Sequence, residues 1–190
     1  ADHQTAHLNL GVLASNAGEV VARIAAYQKA IEIEPLFAYA YINLADLYRQ
    51  QGREQEAEHV LRDALKHAEI PEVHHALGLS YVRQRRNEQA LTHLRTAAEL
   101  APENPHFSYV YSIALNSTGD PQAAIRVLKT ALQRHPYNRN ILYVLTTLHA
   151  ETQKIDVALE YAEKLVTYFP EVQSFQQLQQ QLRAALRSGS

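Results

Sequence analysis

The stretch Ala38–Pro71, AYAYINLADLYRQQGREQEAEHVLRDALKHAEIP, decides the fold, because nearly everything after Pro71 repeats its pattern. Two apolar-periodic segments flank the turn Gln50-Gln51-Gly52-Arg53. In the first, Tyr41, Leu44, Ala45 and Tyr48 fall at i, i+3, i+4 and i+7, one stripe of an α-helix. In the second, Ala57, Val60, Leu61, Ala64 and Leu65 form the matching stripe. Gly52 stands where the first helix must stop and the chain reverse, a place suited to positive φ. The small residues Ala45, Ala57 and Ala64 let the two helices approach closely as an antiparallel hairpin. Such a hairpin cannot bury both its faces alone and needs neighbours stacked on it.

Working outward, the same unit recurs. Ala57, Ala90, Ala124 and Ala158 are spaced by 33 or 34 residues, and Pro102, Pro136 and Pro170 by 34. Landmarks held at one period are the signature of a repeat architecture. The boundaries read as repeats at about 4–37, 38–70, 71–104, 105–138 and 139–170, in a single array over 1–190. In the first repeat His7, Leu10, Gly11 and Ala14 form one stripe, Gly18 the turn, and Ile24, Tyr27, Ala30 and Ile31 the return stripe. The third repeat turns at Arg85-Arg86-Asn87, without glycine. Asn104-Pro105 and Asp120-Pro121 read as an N-cap followed by proline at the first helical position. Over 171–187, Val172, Phe175, Leu178, Leu182 and Leu186 make one apolar stripe and a run of glutamines the opposite face, as expected of a terminal capping helix.

Composition agrees with an all-α chain: 46% of residues are hydrophobic and only 6 are glycine. The 18 basic and 20 acidic side chains are interspersed, so no basic stripe for nucleic acid and no polybasic membrane anchor is formed. No apolar stretch approaches the ~20 residues of a membrane span. Cysteine is absent, which removes disulfides and thiolate metal sites and leaves cytoplasm and periplasm both compatible. Methionine is absent too, so the chain is expected to be a processed protein or a piece of a longer one.

These residues resemble the tetratricopeptide repeat family. The matches are Tyr41, Leu44-Ala45, Tyr48, Gly52, Ala57, Leu61 and Ala64, then Leu77-Gly78, Tyr81, Ala90, Leu94, Ala97 and Pro102. The resemblance covers roughly residues 4 to 170 and implies an all-α, right-handed α-solenoid of about five helical hairpins plus the capping helix. It also implies a non-enzymatic interaction module that grips a protein or peptide segment in a concave groove lined by the first helix of each repeat. Carried over by position, that groove would use Asn9 in the first repeat and Tyr39, Asn43, Asp46 and Arg49 in the second. His75 and Arg83 would follow in the third, His106, Tyr109 and Asn116 in the fourth, and Tyr143 in the fifth. The family's two-carboxylate clamp is not reproduced, since Leu8, Val12, Glu72 and Ala76 stand where it needs polar and basic residues. Its ladder of asparagines is kept at Asn9 and Asn43 and broken at Ala76, Val110 and Val144. The tyrosines offer wide contact area with few rotors. The fourth repeat, NPHFSYVYSIALNSTGDPQAAIRVLKTAL, is also similar to carboxy-terminal repeat segments of bacterial multihaem cytochrome-like proteins, although without cysteine the chain has no haem attachment site. This leaves two alternatives: an assembly or appendage domain of a larger protein, and self-association through repeat one.

No catalytic constellation or cofactor motif is present: no cysteine nucleophile, Gly-rich phosphate loop or nucleophile elbow. Of the ten histidines, His3 and His7 share an i, i+4 spacing, and His74-His75 and His106 fall nearby in the repeat scheme, but no third metal ligand is assured. His149 and His74 are expected to be satisfied, semi-buried packing residues. Arg83, Arg85 and Arg86 read as a solvated turn balanced by Glu88. One position breaks the pattern. Arg23 aligns with the alanines of the tight helix contact, where an unpaired guanidinium would cost several kcal/mol. Either Arg23 snorkels out past Ala14, or the first hairpin is splayed, shifted or exchanged with another copy, and repeat one is expected to be the least regular.

Overall fold

The computed structural model describes residues 17–188. Among them ten α-helices follow one another and no strand occurs. They are α1 (Ala17–Ile33), α2 (Ala38–Gln50), α3 (Glu54–Leu65), α4 (Pro71–Arg83) and α5 (Asn87–Leu100), then α6 (Pro105–Ser117), α7 (Pro121–Arg134), α8 (Arg139–Glu151), α9 (Ile155–Tyr168) and α10 (Gln173–Ser188). The chain divides into two compact units, one ending at Leu100 and one beginning at Ala101. In the first unit α2 packs on α3 and α4 on α5 as hairpins, with α1 against α2. In the second, α6 pairs with α7 and α8 with α9, and α10 closes on α9.

Each hairpin reverses through one left-handed residue. Gly52 has φ 75° and Gly119 φ 92°, while the equivalent positions 85 and 153 hold Arg85 and Gln153, both at φ 59°. Glycine adopts this conformation without strain and a side chain does not. The geometry recurs because it closes the helix end. The next amide donates back to the last turn, Arg53 to Tyr48 O, Arg86 to Tyr81 O, Asp120 to Leu115 O and Lys154 to His149 O, at 2.8–2.9 Å. The expected caps form as well. Asn104 Oδ1 accepts from the His106 amide at 3.1 Å and Asp120 Oδ1 from the Ala123 amide at 2.8 Å, and Asn138 Oδ1 adds a third cap on Ile141.

The stripes read from sequence are the cores. Tyr41, Leu44, Ala45, Tyr48, Ala57, Leu61 and Ala64 are buried together, with Val60 and Leu65 packed against them. Ala40 and Leu47 are buried as well, so α2 buries a second face, as a helix between stacked neighbours must. Where the helices of a hairpin cross, the side chains stay small: Ala45, Gly78, Ser112 and Thr146 on the first helix, Ala57, Ala90, Ala124 and Ala158 on the second. At Gly78 a Cβ would lie 2.6 Å from Leu94 Cγ, so the α4–α5 contact has room for hydrogen only. The hydroxyls admitted at this position return to their own helix, Ser112 to Tyr109 O at 2.6 Å and Thr146 to Leu142 O at 2.9 Å. In α10, Leu182 joins Ala158 and Ala162 of α9, with Leu178 packed alongside.

Two expectations are corrected. Gly18 is not a turn residue, because α1 already runs through it from Ala17. Its counterpart helix α3 begins only two residues after Gly52. Glu19 in the first turn of α1 suits the positive helix N-terminus. Arg86 does not hang in solvent balanced by Glu88. Its Nη1 donates to Glu58 Oε2 at 2.6 Å and its guanidinium lies 4.4 Å over the Tyr81 ring. The stripe through His7, Leu10, Gly11 and Ala14, the pair His3 and His7, and the regularity of the first hairpin lie outside the described residues. Arg23 itself is half-buried on α1, with its Nε buried and without a hydrogen-bond partner.

Candidate functional site

The first helix of each hairpin, α2 and α4 in the first unit and α6 and α8 in the second, leaves part of its surface uncovered by its partner. In the first unit this face carries Tyr39, 58% exposed, on α2. Tyr39 meets Phe37 edge-on at 6.3 Å. Asn43 is half-buried beside it. Asp46 and Arg49 are spent partly on each other, Arg49 Nε donating to Asp46 Oδ1 at 3.1 Å. On α4, which touches α2, His75 is half-buried and Arg83 exposed.

The second unit brings its expected residues together more closely. His106 stacks on Tyr109 at 6.2 Å, one turn apart on α6. Tyr143 of α8, 46% exposed, lies 6.1 Å from the Phe175 ring of α10. Tyr109, Tyr143 and Phe175 line one cleft of about 410 Å³, together with Arg139, Asn140, Ser174, Gln177, Leu178 and Gln181. That volume lies within the usual ~300–1,000 Å³ of ligand pockets. Asn116, expected on the same surface, is half-buried near the end of α6 and does not line the cleft. Asn9 lies outside the described residues.

More than half of this lining comes from α10, which the sequence presents as a cap with an outward glutamine face. The signal was present in the repeat period. Tyr109, Tyr143 and Gln177 are each 34 residues apart, and so are His106, Asn140 and Ser174. Helix α10 thus occupies the place of a first helix in a further repeat, and its Gln177 falls at the same position as the two tyrosines. Among the described residues no hydrogen bond engages the amides of Asn140, Gln177 or Gln181, whereas Gln176, on another face, donates to Pro170 O at 2.8 Å.

A larger cavity, about 790 Å³, opens among α1, α2 and α3. It lies toward the second helices, and its charges are already matched: Glu32 with Lys29 at 2.8 Å, Asp63 with Lys66 at 2.5 Å and with His59 at 3.2 Å.

The titratable clusters serve packing. Glu58, 9% exposed on α3, accepts from Tyr81 at 3.1 Å and from Arg86, and pairs with Arg62 at 2.9 Å. Burial pushes its carboxyl upward, but the bonds from Arg86 and Tyr81 and the charges of Arg62 and Arg86 outweigh it and hold the pKa below the ordinary value. His74 is satisfied as expected, its Nε2 2.5 Å from Glu69 and its Nδ1 2.9 Å from His93 Nδ1. With Nε2–H donating to the carboxylate, a neutral His74 accepts at Nδ1 from His93 Nδ1–H. His149 departs from expectation. It is buried and stacked on Tyr161 at 5.6 Å, yet neither ring nitrogen has a hydrogen-bond partner. Among the described residues no three His, Cys, Asp or Glu side chains gather to hold a metal, and no helix is long and apolar enough to cross a membrane.

Comparison with known proteins follows the same lines. Tetratricopeptide repeat family models match residues 26–59, 75–139 and 115–182. No curated protein matches the chain. Among solved structures, pilF of Pseudomonas aeruginosa is similar at TM-score 0.73 and 19% identity, over 97% of this chain and 84% of that one. YrrB, described as a TPR protein with an unusual peptide-binding site, is similar at TM-score 0.66 and 22% identity, over 92% and 90%. MamA is similar at TM-score 0.67 and 18% identity, over 87% and 91%. At such identities the likeness is one of fold, an all-α solenoid of helical hairpins.

Proposed function

Because the chain belongs to the tetratricopeptide repeat family, whose members are built as protein-interaction modules, we propose that it binds an extended segment of a partner protein on its first-helix faces and catalyses no reaction. The observation that carries this reading is the cleft of the second unit, where Tyr109, Tyr143 and Phe175 stand beside the uncommitted amides of Asn140, Gln177 and Gln181. An amide carries both donor and acceptor, so it can hold a peptide group of any sequence. Aromatic rings supply desolvated contact area at small entropic cost. On the same reading Tyr39, Asn43 and His75 form the corresponding surface of the first unit, with Asp46, Arg49 and Arg83 at its polar margin. Self-association through repeat one would rest on residues outside those described.

The test is selection of a displayed library of random peptides on the full chain, run beside the Tyr143→Ala, Gln177→Ala double variant. Both side chains are exposed, so the variant should keep its fold. The chain should enrich sequences that the double variant does not, with loss of an anchor and an amide contact worth about 2–4 kcal/mol. Equal enrichment by both proteins would place the binding elsewhere and sink the reading.

A further inference from the structure

The second unit's cleft has one formal charge in its lining, and that charge is misplaced for helix stability. Arg139 is the first residue of α8, where the helix dipole opposes a cation, and the first turn contains no acidic residue. It is exposed, forms no ion pair among the described residues, and is the one charged side chain that the cleft presents to an occupant. A residue that breaks a local rule without compensation inside the fold is a candidate for an external partner.

Spacing adds a second constraint. Arg139 and Tyr143 stand one turn apart on α8, and Gln177 and Gln181 one turn apart on α10, so each pair is offset by about 6 Å along its helix. An extended chain repeats its side-chain direction every two residues, about 6.6–6.8 Å. A strand-like segment lying along the cleft can therefore present alternate peptide groups to the two glutamines. In the same register it presents side chains i and i+2 to Arg139 and to the ring cluster of Tyr143 and Phe175.

The geometry points to a specific partner class: an internal, extended protein segment carrying an acidic side chain two residues from an aromatic or large aliphatic one. Arg139 takes the carboxylate, Tyr109, Tyr143 and Phe175 take the apolar side chain, and Gln177 and Gln181 hold the backbone. This rests on the groove reading above and adds to it a charge requirement and a spacing. The occupant is an internal segment, because Gln177 and Gln181, one turn apart on α10, call for successive peptide groups of a continuing backbone rather than for a chain end. The α8 N-terminus is already capped at Ile141 by Asn138, so it is the guanidinium of Arg139 that takes the carboxylate, in a charge-assisted pair.

The peptide selection decides the matter when its peptides are joined to the carrier at both ends, which leaves no free terminal carboxylate. The expected result is enrichment of Asp or Glu two positions from Phe, Tyr, Leu or Ile. With Arg139→Gln the acidic preference should vanish while the apolar preference remains. A synthetic peptide from the enriched pool should lose about tenfold in affinity when its acid becomes the amide, and about tenfold with Arg139→Gln. Combining the two changes should cost little more than either alone. Thermal stability of Arg139→Gln should be unchanged or slightly raised, separating lost recognition from lost fold. Enrichment without an acidic preference, or an acid preference that survives Arg139→Gln, overturns this inference and leaves the groove reading standing. Enrichment no different from that of the Tyr143→Ala, Gln177→Ala variant overturns both.

Discussion

At the scale of single residues, His149 is the least comfortable group in the described fold. It occupies the position that Tyr48, Tyr81 and Leu115 fill in the preceding repeats, and it is 3% exposed with both ring nitrogens unpartnered. Burial, with Lys129 and Lys154 nearby, pushes its pKa below the ordinary 6.5. His93 is lowered for the same first reason, burial, and then by His74 and Arg62. The sign follows from linkage. The unfolded chain takes up these protons first, so stability is full above about pH 6.5 and declines as pH falls below it. His149→Leu, borrowing the residue of the fourth repeat, should raise stability at neutral pH by about 1 kcal/mol and flatten the pH dependence between about pH 5 and 7. Urea unfolding across that range measures both, and an unchanged slope would count against a buried neutral ring. Glu58 has a dependence of the same sign at lower pH. Its lowered pKa stabilises the fold above the ordinary carboxyl value of 4.5, and this is lost as pH falls through the folded pKa. Glu58→Gln should therefore cost about 1–3 kcal/mol at neutral pH, by stranding Arg86 and Tyr81, and less as the medium becomes acidic. A cost independent of pH would show that the charge is not what matters.

At the scale of the helix, the close crossings and the turns carry the specificity. Ala90 sits in the α4–α5 contact that already excludes a Cβ at Gly78. Ala90→Leu should overpack it and cost about 1–3 kcal/mol, with amide exchange rising first in α4 and α5. The turns offer the converse. Arg85 and Gln153 hold a left-handed conformation that Gly52 and Gly119 adopt freely. Arg85→Gly and Gln153→Gly should each stabilise by up to about 1 kcal/mol, the relief of strain exceeding the added freedom of the unfolded chain. Chemical denaturation of the two variants tests this, and destabilisation of both would contradict the turn geometry.

At the scale of the whole molecule, α10 has two duties. It covers Ala158, Ala162, Ile155 and Leu159 of α9, and it supplies Phe175, Gln177 and Gln181 to the cleft. Deleting residues 171–190 should therefore weaken amide protection in α8 and α9, since a solenoid is stabilised by nearest-neighbour contacts. The same deletion should abolish enrichment of cleft-directed peptides. Protection that falls while peptide selection persists would detach the binding surface from α10. Fusing the chain to a further domain after residue 190 supplies a control in which α10 is retained.

The repeat period, the hairpin stripes, the caps at Asn104 and Asp120 and the small residues at the crossings were all legible in the sequence. Each is written in residues three, four or 34 apart, and helix geometry converts that spacing into a buried face without further information. Even the placement of Gln177 beside Tyr143 follows from the period once α10 is counted as a further first helix. Other features were decided only by tertiary structure. Arg86 turns to Glu58 rather than to Glu88 because the carboxylate on α3 is brought to it by hairpin stacking, across 28 residues. His149 loses its partners because the Tyr161 ring, not a polar group, covers it. Arg139 stands alone in the cleft because no acidic side chain of a neighbouring helix is carried to it. Local spacing dictates which face of a helix is buried, whereas the fate of each polar side chain depends on what distant segments bring within about 3 Å of it.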